Sequence, residues 1–301
     1  MAKTEYQLNL VSKIESFETH PYVPPFNLQL LKWIGNKQRF APEIITYFPA
    51  KFGTYIEPFL GSGGVLGTLN PQQAIGSDNF QPLIEIWTTL KIKPEEIIDW
   101  YSERWLLMKS KGKKEGYEIV KERFNKHPNG ADLLFISRSC YGGVIRFRKG
   151  DGYISTPVGI HDPISPKSFS YRALKWSERI RGTSFICSDY RGVMKSAKKG
   201  DLIYCDPPYV DSQSILYGAQ LFNIMDLFTM IADCKNKGVF VALSIDGSKK
   251  SGMKIIDIPF PEGLFEHQIK INVGKSMLKR FQMEGETLES ECVRDLLLLT
   301  Y

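Results

Sequence analysis

A doubly wound α/β sheet split by a long insertion is the fold class predicted for this 301-residue chain, and three stretches predict it. Residues 54–67 read as a short strand, a glycine turn and the start of a helix. Ala74–Asp78 reads as a second strand closed by an acid, and Leu202–Cys205 as an apolar strand running straight into Asp206-Pro207-Pro208-Tyr209. Strands alternating with helical stretches are the pattern of a parallel sheet wound by crossovers. The order of the stretches sets the expected organisation: residues 1–90 and 167–301 form the sheet domain, and 91–166 form an inserted domain.

With 43% hydrophobic and 24% charged residues, the chain has the composition of a globular protein rather than a disordered one. It holds no apolar run of about 18 residues, so no transmembrane helix and no membrane partner are expected. The opening Met-Ala-Lys-Thr-Glu-Tyr lacks the apolar core of a signal peptide, which predicts a cytoplasmic location. The five cysteines (Cys140, Cys187, Cys205, Cys234 and Cys292) show no CxxC spacing, and only four histidines accompany them. Neither a disulfide framework nor a metal site is expected. Net charge is +6, yet residues 109–149 alone carry eleven Lys and Arg against four acids. That surplus exceeds the charge of the whole chain and points to a polyanionic partner, with a merely solvated helix face as the alternative for residues 109–126.

In residues 24–40, apolar side chains crowd around a Gly35-Asn36 turn, and Phe40, Ile44, Ile45 and Phe48 continue with helical spacing. Trp33 and Lys37 flank the turn. Read alone they are a core aromatic and a solvated cation, although a Trp beside a Lys also suits a small molecule carrying a carboxylate or an adenine. In Glu57-Pro58-Phe59-Leu60-Gly61-Ser62-Gly63, the glycines let backbone approach a ligand and present N–H groups at a helix start. Asp78 follows Gly63 by fifteen residues; in a doubly wound sheet it arrives beside the loop, where it can accept from both ribose hydroxyls. A nicotinamide enzyme has a similar loop. Here, however, Glu57 and Phe59 put an acid and a bulky ring where a pyrophosphate needs room and no negative charge.

Within the insertion, Pro94 opens a helix with acids in its first turn, and helical periodicity continues to about Phe124. Alternation on both sides of Lys149-Gly150-Asp151-Gly152 predicts a hairpin of residues 141–148 and 150–157. A basic two-stranded ribbon fits the major groove, so Arg146, Arg148 and Lys149 either read base edges or hold phosphates.

Two consecutive prolines after Asp206 end the strand and hold a stiff turn whose carbonyls face outward. The Asp206 carboxylate and the Pro207 carbonyl are acceptors, and Tyr209 adds a flat ring. Together they suit the amino group of a nucleobase lifted from its stack; an ordinary Pro-Pro loop is the alternative. Beyond this turn the chain reads as a polar loop over 210–218 able to close over the site and a helix over 221–237 ended by Gly238. A core strand over 239–244, a basic hairpin over 270–280 and a closing strand over 292–301 follow.

Leu31-Lys32-Trp33 with Lys37, the 57–63 loop, Asp78 and Tyr204-Cys205-Asp206-Pro207-Pro208-Tyr209, in this order, resemble the DNA adenine methylase family, amino-methyltransferases that use S-adenosylmethionine. The resemblance implies the methyltransferase type of doubly wound mixed sheet, and methyl transfer to adenine N6 in double-stranded DNA with base flipping. It implies that Trp33 and Lys37 approach the methionine end of the cofactor and that Glu57, Pro58, Phe59, Gly61 and Gly63 wrap it. Asp78 would hold the ribose, Asp189 or Tyr190 would border the adenine, and Asp206 would reach both cofactor and base. Asp206, Pro207 and Tyr209 are the implied catalytic residues. Tyr141 matches an aromatic that enters the duplex, and Arg146 an arginine that reads a guanine. Members specific for GATC carry Arg-Tyr-Asn and Asn-Val-Pro where this chain has Arg146-Phe147-Arg148 and Ser155-Thr156-Pro157, which leaves the target sequence open. Asn36 stands where the family more often has Gly, a small departure because Asn tolerates the left-handed region. A monomer acting on DNA, with any cognate restriction endonuclease acting separately, is the expected assembly. Two rivals stay in view: transfer to cytosine N4, disfavoured by an Asp opening the turn, and a silent DNA-binding relative, disfavoured by the joint presence of Lys37, Glu57, Asp78 and Asp206.

Overall fold

The computed structural model describes residues 18–208, 222–246, 248–249, 254–255, 260–274 and 293–301. A seven-stranded sheet is built from β1 (Tyr55–Glu57), β2 (Ala74–Asp78), β3 (Thr183–Cys187), β4 (Leu202–Cys205), β5 (Phe240–Asp246), β6 (His267–Gly274) and β7 (Val293–Leu299). Their order across the sheet is β3-β2-β1-β4-β5-β7-β6. The first five are parallel, with Tyr55 opposite both Ala74 and Leu202, while β7 runs antiparallel between β5 and β6. This is the doubly wound mixed sheet that the sequence predicts. β1 and β4 are buried throughout because both of their faces are covered, and alternate residues feed opposite cores. Tyr55, Leu202 and Tyr204 enter one apolar cluster; Ile56, Ile203 and Cys205 enter the other.

Strand order reverses between β1 and β4: β2 lies on one side of β1, and β4 on the other. A crevice opens at such a switch point, outside the carboxyl ends of the strands. Three of the stretches singled out above end there, namely the glycine loop after β1, Asp78 at the end of β2 and Asp206 after β4.

On one face of the sheet, Trp87 from α3 (Gln81–Ile92) and Trp176 from α7 (Pro166–Arg179) are fully buried and lie 5.1 Å apart between ring centres. On the other, α8 (Tyr190–Ser196) and α9 (Ile224–Asn236) bring Met194, Phe228 and Ile231 onto Ile203 and Val241. The helical pattern expected after Phe40 is a single short helix, α1 (Ala41–Ile45), and the glycine loop leads into α2 (Gly64–Leu69). The helix expected over 221–237 is α9; it is N-capped by the Asn223 side chain and followed by Gly238 at φ 75°.

The insertion departs from expectation in two places. The helix expected from Pro94 to about Phe124 is broken at Gly112, φ 89°, into α4 (Pro94–Lys111) and α5 (Lys113–Lys126), which pack on each other. A further helix, α6 (Gly130–Ser139), is capped by Asn129 accepting from the Asp132 N–H and is buried at every residue. A helix with no solvent face has no amphipathic period to show in the sequence. The hairpin closes where expected: the Arg148 N–H donates to Tyr153 O at 2.9 Å, and Phe147 bridges Ile154. It is not a regular ladder, though. The Thr156 hydroxyl accepts from the Arg146 N–H at 2.8 Å and donates to Val144 O at 2.9 Å, taking the place of a backbone partner. The 210–218 loop, Cys292 and the distal part of the 270–280 stretch lie outside the described residues. Among the described residues no helix is long and apolar enough to cross a membrane.

The α4–α5 contact generates a test. A Cβ at Gly116 would sit 2.4 Å from the Met108 Cα, a backbone atom that cannot step aside. Gly116→Ala should therefore lose about 1–3 kcal/mol to overpacking, more than the roughly 0.5–1 kcal/mol of helix propensity it gains. A urea midpoint at or above wild type would show that α4 and α5 separate freely.

Candidate active site at the switch point

A cavity of about 300 Å³ occupies the crevice. Its first wall is the glycine loop. Gly61 and Gly63 take left-handed φ of 46° and 59°, and the Gly63 N–H donates to Leu60 O at 2.7 Å, closing a tight turn. A side chain on Gly61 would meet the Trp33 indole at 3.3 Å, so the loop and that ring lie directly against each other. Gly63 does not line the cavity; it sets the turn and abuts Trp87, whereas Pro58, Phe59 and Gly61 do line it.

Asp78 closes β2 with Oδ2 accepting from the Gly61 N–H at 3.1 Å and Oδ1 from the Phe80 N–H at 3.2 Å. Burial raises its pKa to about 6 against the pull of those backbone donors. The Asn79 N–H is a third backbone donor to Asp78, and a carboxylate with about four lone-pair sites still has acceptor capacity for a ligand. Glu57 is 3% exposed, and its Oε2 accepts from the Tyr55 hydroxyl and the Leu66 N–H, both at 3.0 Å. Burial lifts its pKa to about 8, with the nearby Asp206 charge adding to the rise. With its pKa above 7, Glu57 is mostly protonated at neutral pH, and its acceptor contacts tie the loop to α2. Protonation weakens the charge-based part of the case against a pyrophosphate, and the Phe59 ring carries the rest.

The opposite wall carries the strongest electrostatic feature. The Lys37 ammonium, on a side chain 6% exposed, donates to Asp206 Oδ1 at 2.8 Å and lies 3.3 Å from Asp295 Oδ2. The solvated cation read from residue type is corrected: Lys37 is buried because two carboxylates compensate its desolvation. Its ammonium is also engaged with Asp206, the residue proposed from sequence to act on the base. Burial raises the Asp206 pKa to about 6; Lys37 lowers it, and Asp295 raises it. Pro207 and Tyr204 line the same wall. Tyr209 lies outside the described residues.

At the third side, Tyr190 stacks on Phe59 with ring centres 5.1 Å apart, and Phe222 stands edge-on to Phe59 at 5.8 Å. Asp189 is exposed at the rim, capping α8 and paired with Arg191 at 3.1 Å. The ribbon completes the enclosure. Gly143, Ile145 and Phe147 face the cavity, while the alternate residue Arg146, with Arg148 and Lys149, is exposed outside it. Tyr141 is half-buried and does not line it either. Arg148 is held by Asp151 through Nε at 3.0 Å and through Nη2, with its guanidinium 5.2 Å from the centre of the Tyr153 ring.

Phe222 and Asp295 escape the sequence reading. Phe222 is a lone ring with no spacing signal, whereas Asp295 had one: an acid that, with Arg294, interrupts the apolar residues of β7. The donor set fits S-adenosylmethionine. It offers acceptors for a ribose diol at Asp78, flat rings for an adenine at Phe59 and Tyr190, and carboxylates for positive charge.

The family model for the D12 class N6 adenine-specific DNA methyltransferases matches residues 33–268. A DNA adenine methylase of Serratia marcescens is 31% identical over 61% of this chain and 67% of that protein. A DNA N-6-adenine-methyltransferase of Escherichia phage P1 is 30% identical over 61% of this chain, and the match spans only 24% of that longer protein. Type II methyltransferase M1.LlaDCHI of Lactococcus lactis subsp. cremoris is 26% identical over 72% of this chain and 80% of its own length. Among solved structures, the rRNA methyltransferase aviRa of Streptomyces viridochromogenes covers 94% of this chain and 88% of its own at 13% identity and a TM-score of 0.37, too slight a likeness to bear on the fold.

A neutral Glu57 makes a specific stability prediction. Glu57→Gln keeps an uncharged acceptor of the same shape and should cost less than about 1 kcal/mol, whereas Glu57→Ala strands the Tyr55 hydroxyl and the Leu66 N–H and should cost about 1–3 kcal/mol or more. Equal losses in chemical denaturation would show that a charge, rather than an acceptor, is needed there.

Proposed function

We propose how this cleft works from one premise: the chain belongs to the D12 class of N6 adenine-specific DNA methyltransferases, so its reaction is methyl transfer to the N6 amino group of an adenine in DNA. Trp33, the 57–63 loop, Asp78 and the Phe59–Tyr190 pair would hold S-adenosylmethionine, which when bound supplies an electrophilic methyl group on a sulfonium. The observation that carries the reading is Asp206, a carboxylate at the cavity wall anchored through Oδ1 by a buried ammonium and followed by the acceptor-rich Pro207-Pro208 turn.

An exocyclic amino nitrogen is a poor nucleophile because its lone pair is delocalised into the ring. The Asp206 carboxylate and the Pro207 carbonyl would accept its two N–H groups, favouring a pyramidal nitrogen with a localised lone pair. Their stabilisation grows as positive charge develops on that nitrogen, so the effect falls on the transition state. No general base is required, since the methylated nitrogen is acidic and loses its proton readily. Tyr209 would stack on the flipped adenine, a contact worth roughly 1–3 kcal/mol per base. The insertion, residues 91–166, is read as the target-recognising part of the molecule. Its ribbon would present Arg146 to a base edge and Arg148, with Lys149, to phosphates, while Tyr141 would fill the vacated stack. Double-stranded DNA is the proposed partner and a monomer the proposed assembly. The type II name of the Lactococcus relative supports a place in a restriction-modification system, with any endonuclease acting separately.

Asp206→Ala should lower single-turnover methyl transfer at least ~10²-fold while S-adenosylmethionine and DNA still bind. In the wild type the carboxylate must be ionised to accept, so the rate should fall as pH drops through about 6, the raised pKa of Asp206. Lys37→Met, which removes the group lowering that pKa, should move this acid limb to higher pH. A near-wild-type rate in the alanine variant, or a flat profile down to pH 5, would sink the assignment.

For the ribbon, Arg146→Ala should cost about 1–3 kcal/mol on the cognate site and relax one target position. Arg148→Ala should weaken all sequences alike and lower the salt slope by roughly one unit. Methylation-site profiling decides this. An Arg146→Ala enzyme that modifies an unchanged set of sites more slowly would show that the ribbon reads no base.

A further inference from the structure

We propose that Asp295 is a positioning residue for methyl transfer: by sharing the Lys37 ammonium with Asp206, it keeps the catalytic carboxylate basic and fixed in orientation. The inference rests on the function proposed above. Lys37 Nζ lies 2.8 Å from Asp206 Oδ1 and 3.3 Å from Asp295 Oδ2, and the Lys37 and Asp295 side chains are only 6% and 8% exposed. Asp295 sits on β7, opposite Asp246 of β5 and Ile271 of β6, in a strand whose next residues include the buried Leu297, Leu298 and Leu299. An acid in such a strand is costly unless a cation compensates it, and Lys37, the cation that holds Asp206, lies within ion-pair distance of it.

A one-to-one buried pair of Lys37 and Asp206 would be neutral, with the ammonium drawing down the basicity of the acceptor on which the chemistry relies. With a second carboxylate on the same ammonium, the pull of Lys37 on Asp206 is divided, and Asp206 keeps more of its basicity toward the positive charge that develops on the amino nitrogen. The same arrangement holds Lys37 from two strands, so that Oδ1 of Asp206 stays engaged and Oδ2 is the acceptor for the base. Among the described side chains, Glu57 from β1, whose pKa lies above 7, and Tyr204 from β4 also feel the Asp206 charge. Asp295 raises the Asp206 pKa through its charge, so removing that charge has a defined direction.

The test is methyl transfer by the full chain from labelled S-adenosylmethionine to genomic DNA free of methyladenine, measured across pH 5–9. Asp295→Asn should lower kcat by about tenfold or more with KM for DNA and cofactor within about twofold, and should move the acid limb to lower pH. Asp295→Glu, which restores the charge, should recover most of kcat and return the limb toward its wild-type position. If the Asn variant does not fold, Asp295→Ser, which can still hold a hydrogen bond to Lys37, is read in its place. A merely structural Asp295 would reduce the amount of active enzyme and leave the limb where it is; an unmoved limb or an unchanged kcat overturns the proposal. Asp206→Asn run alongside separates the two levels. If it is inactive while Asp295→Asn behaves as wild type, only the role of Asp295 fails; if it is active, the reading of the cleft fails.

Discussion

One buried ammonium makes the cleft tenable. Asp206 follows β4 and Asp295 lies on β7, strands that are not neighbours, and both carboxylates reach the same ammonium. Taking an isolated carboxylate out of water costs several kcal/mol even after relaxation, and two beside each other cost more. Lys37 reaches them from a loop that precedes the whole sheet in sequence, so the charge balance can be completed only once the chain ends have been brought together. Fold and site are thus coupled through an ion, and the parallel half of the sheet is pinned to the antiparallel half by it.

The path of that loop is itself held by the insertion. Arg138 of α6 is buried and donates to the carbonyls of Gln29, at 3.0 Å, and Leu30, at 2.8 Å, a few residues ahead of Trp33. A side chain at Gly143 would meet Lys32 Cβ at 2.9 Å, which shows how closely the ribbon approaches the same loop. Since Ile145 and Phe147 also face the cavity, residues expected to belong to a separate recognition unit form part of the wall against which the base would sit.

Elements with a strong local signature were legible in the sequence: the glycine loop, the acid-ended β2, the strand before Asp206 and the turn of the ribbon. Each is governed by short-range chemistry, a positive φ or a missing N–H, that residue type alone reveals. What escaped depends on tertiary context. Helix α6 is buried on every side and shows no periodicity. Asp295 meets Lys37 across the full length of the chain, and Phe222 joins Phe59 only after folding. Glu57 was found but not its protonation state, which follows from burial that no spacing rule contains. The ribbon was placed correctly yet read as two regular strands, because a Thr hydroxyl standing in for a backbone partner leaves no trace in an alternation pattern.

The pleat of the ribbon also bears on how such a molecule can diversify. Side chains at 145 and 147 are turned to the cavity, while 146, 148 and 149 stand outside it. A substitution on the outer set alters what the surface offers to a partner without repacking the cavity, and a substitution on the inner set does the reverse. Two faces of one short segment can therefore drift under separate selection, one constrained by the cavity wall and the other by whatever meets the surface, with no change in chain length or fold.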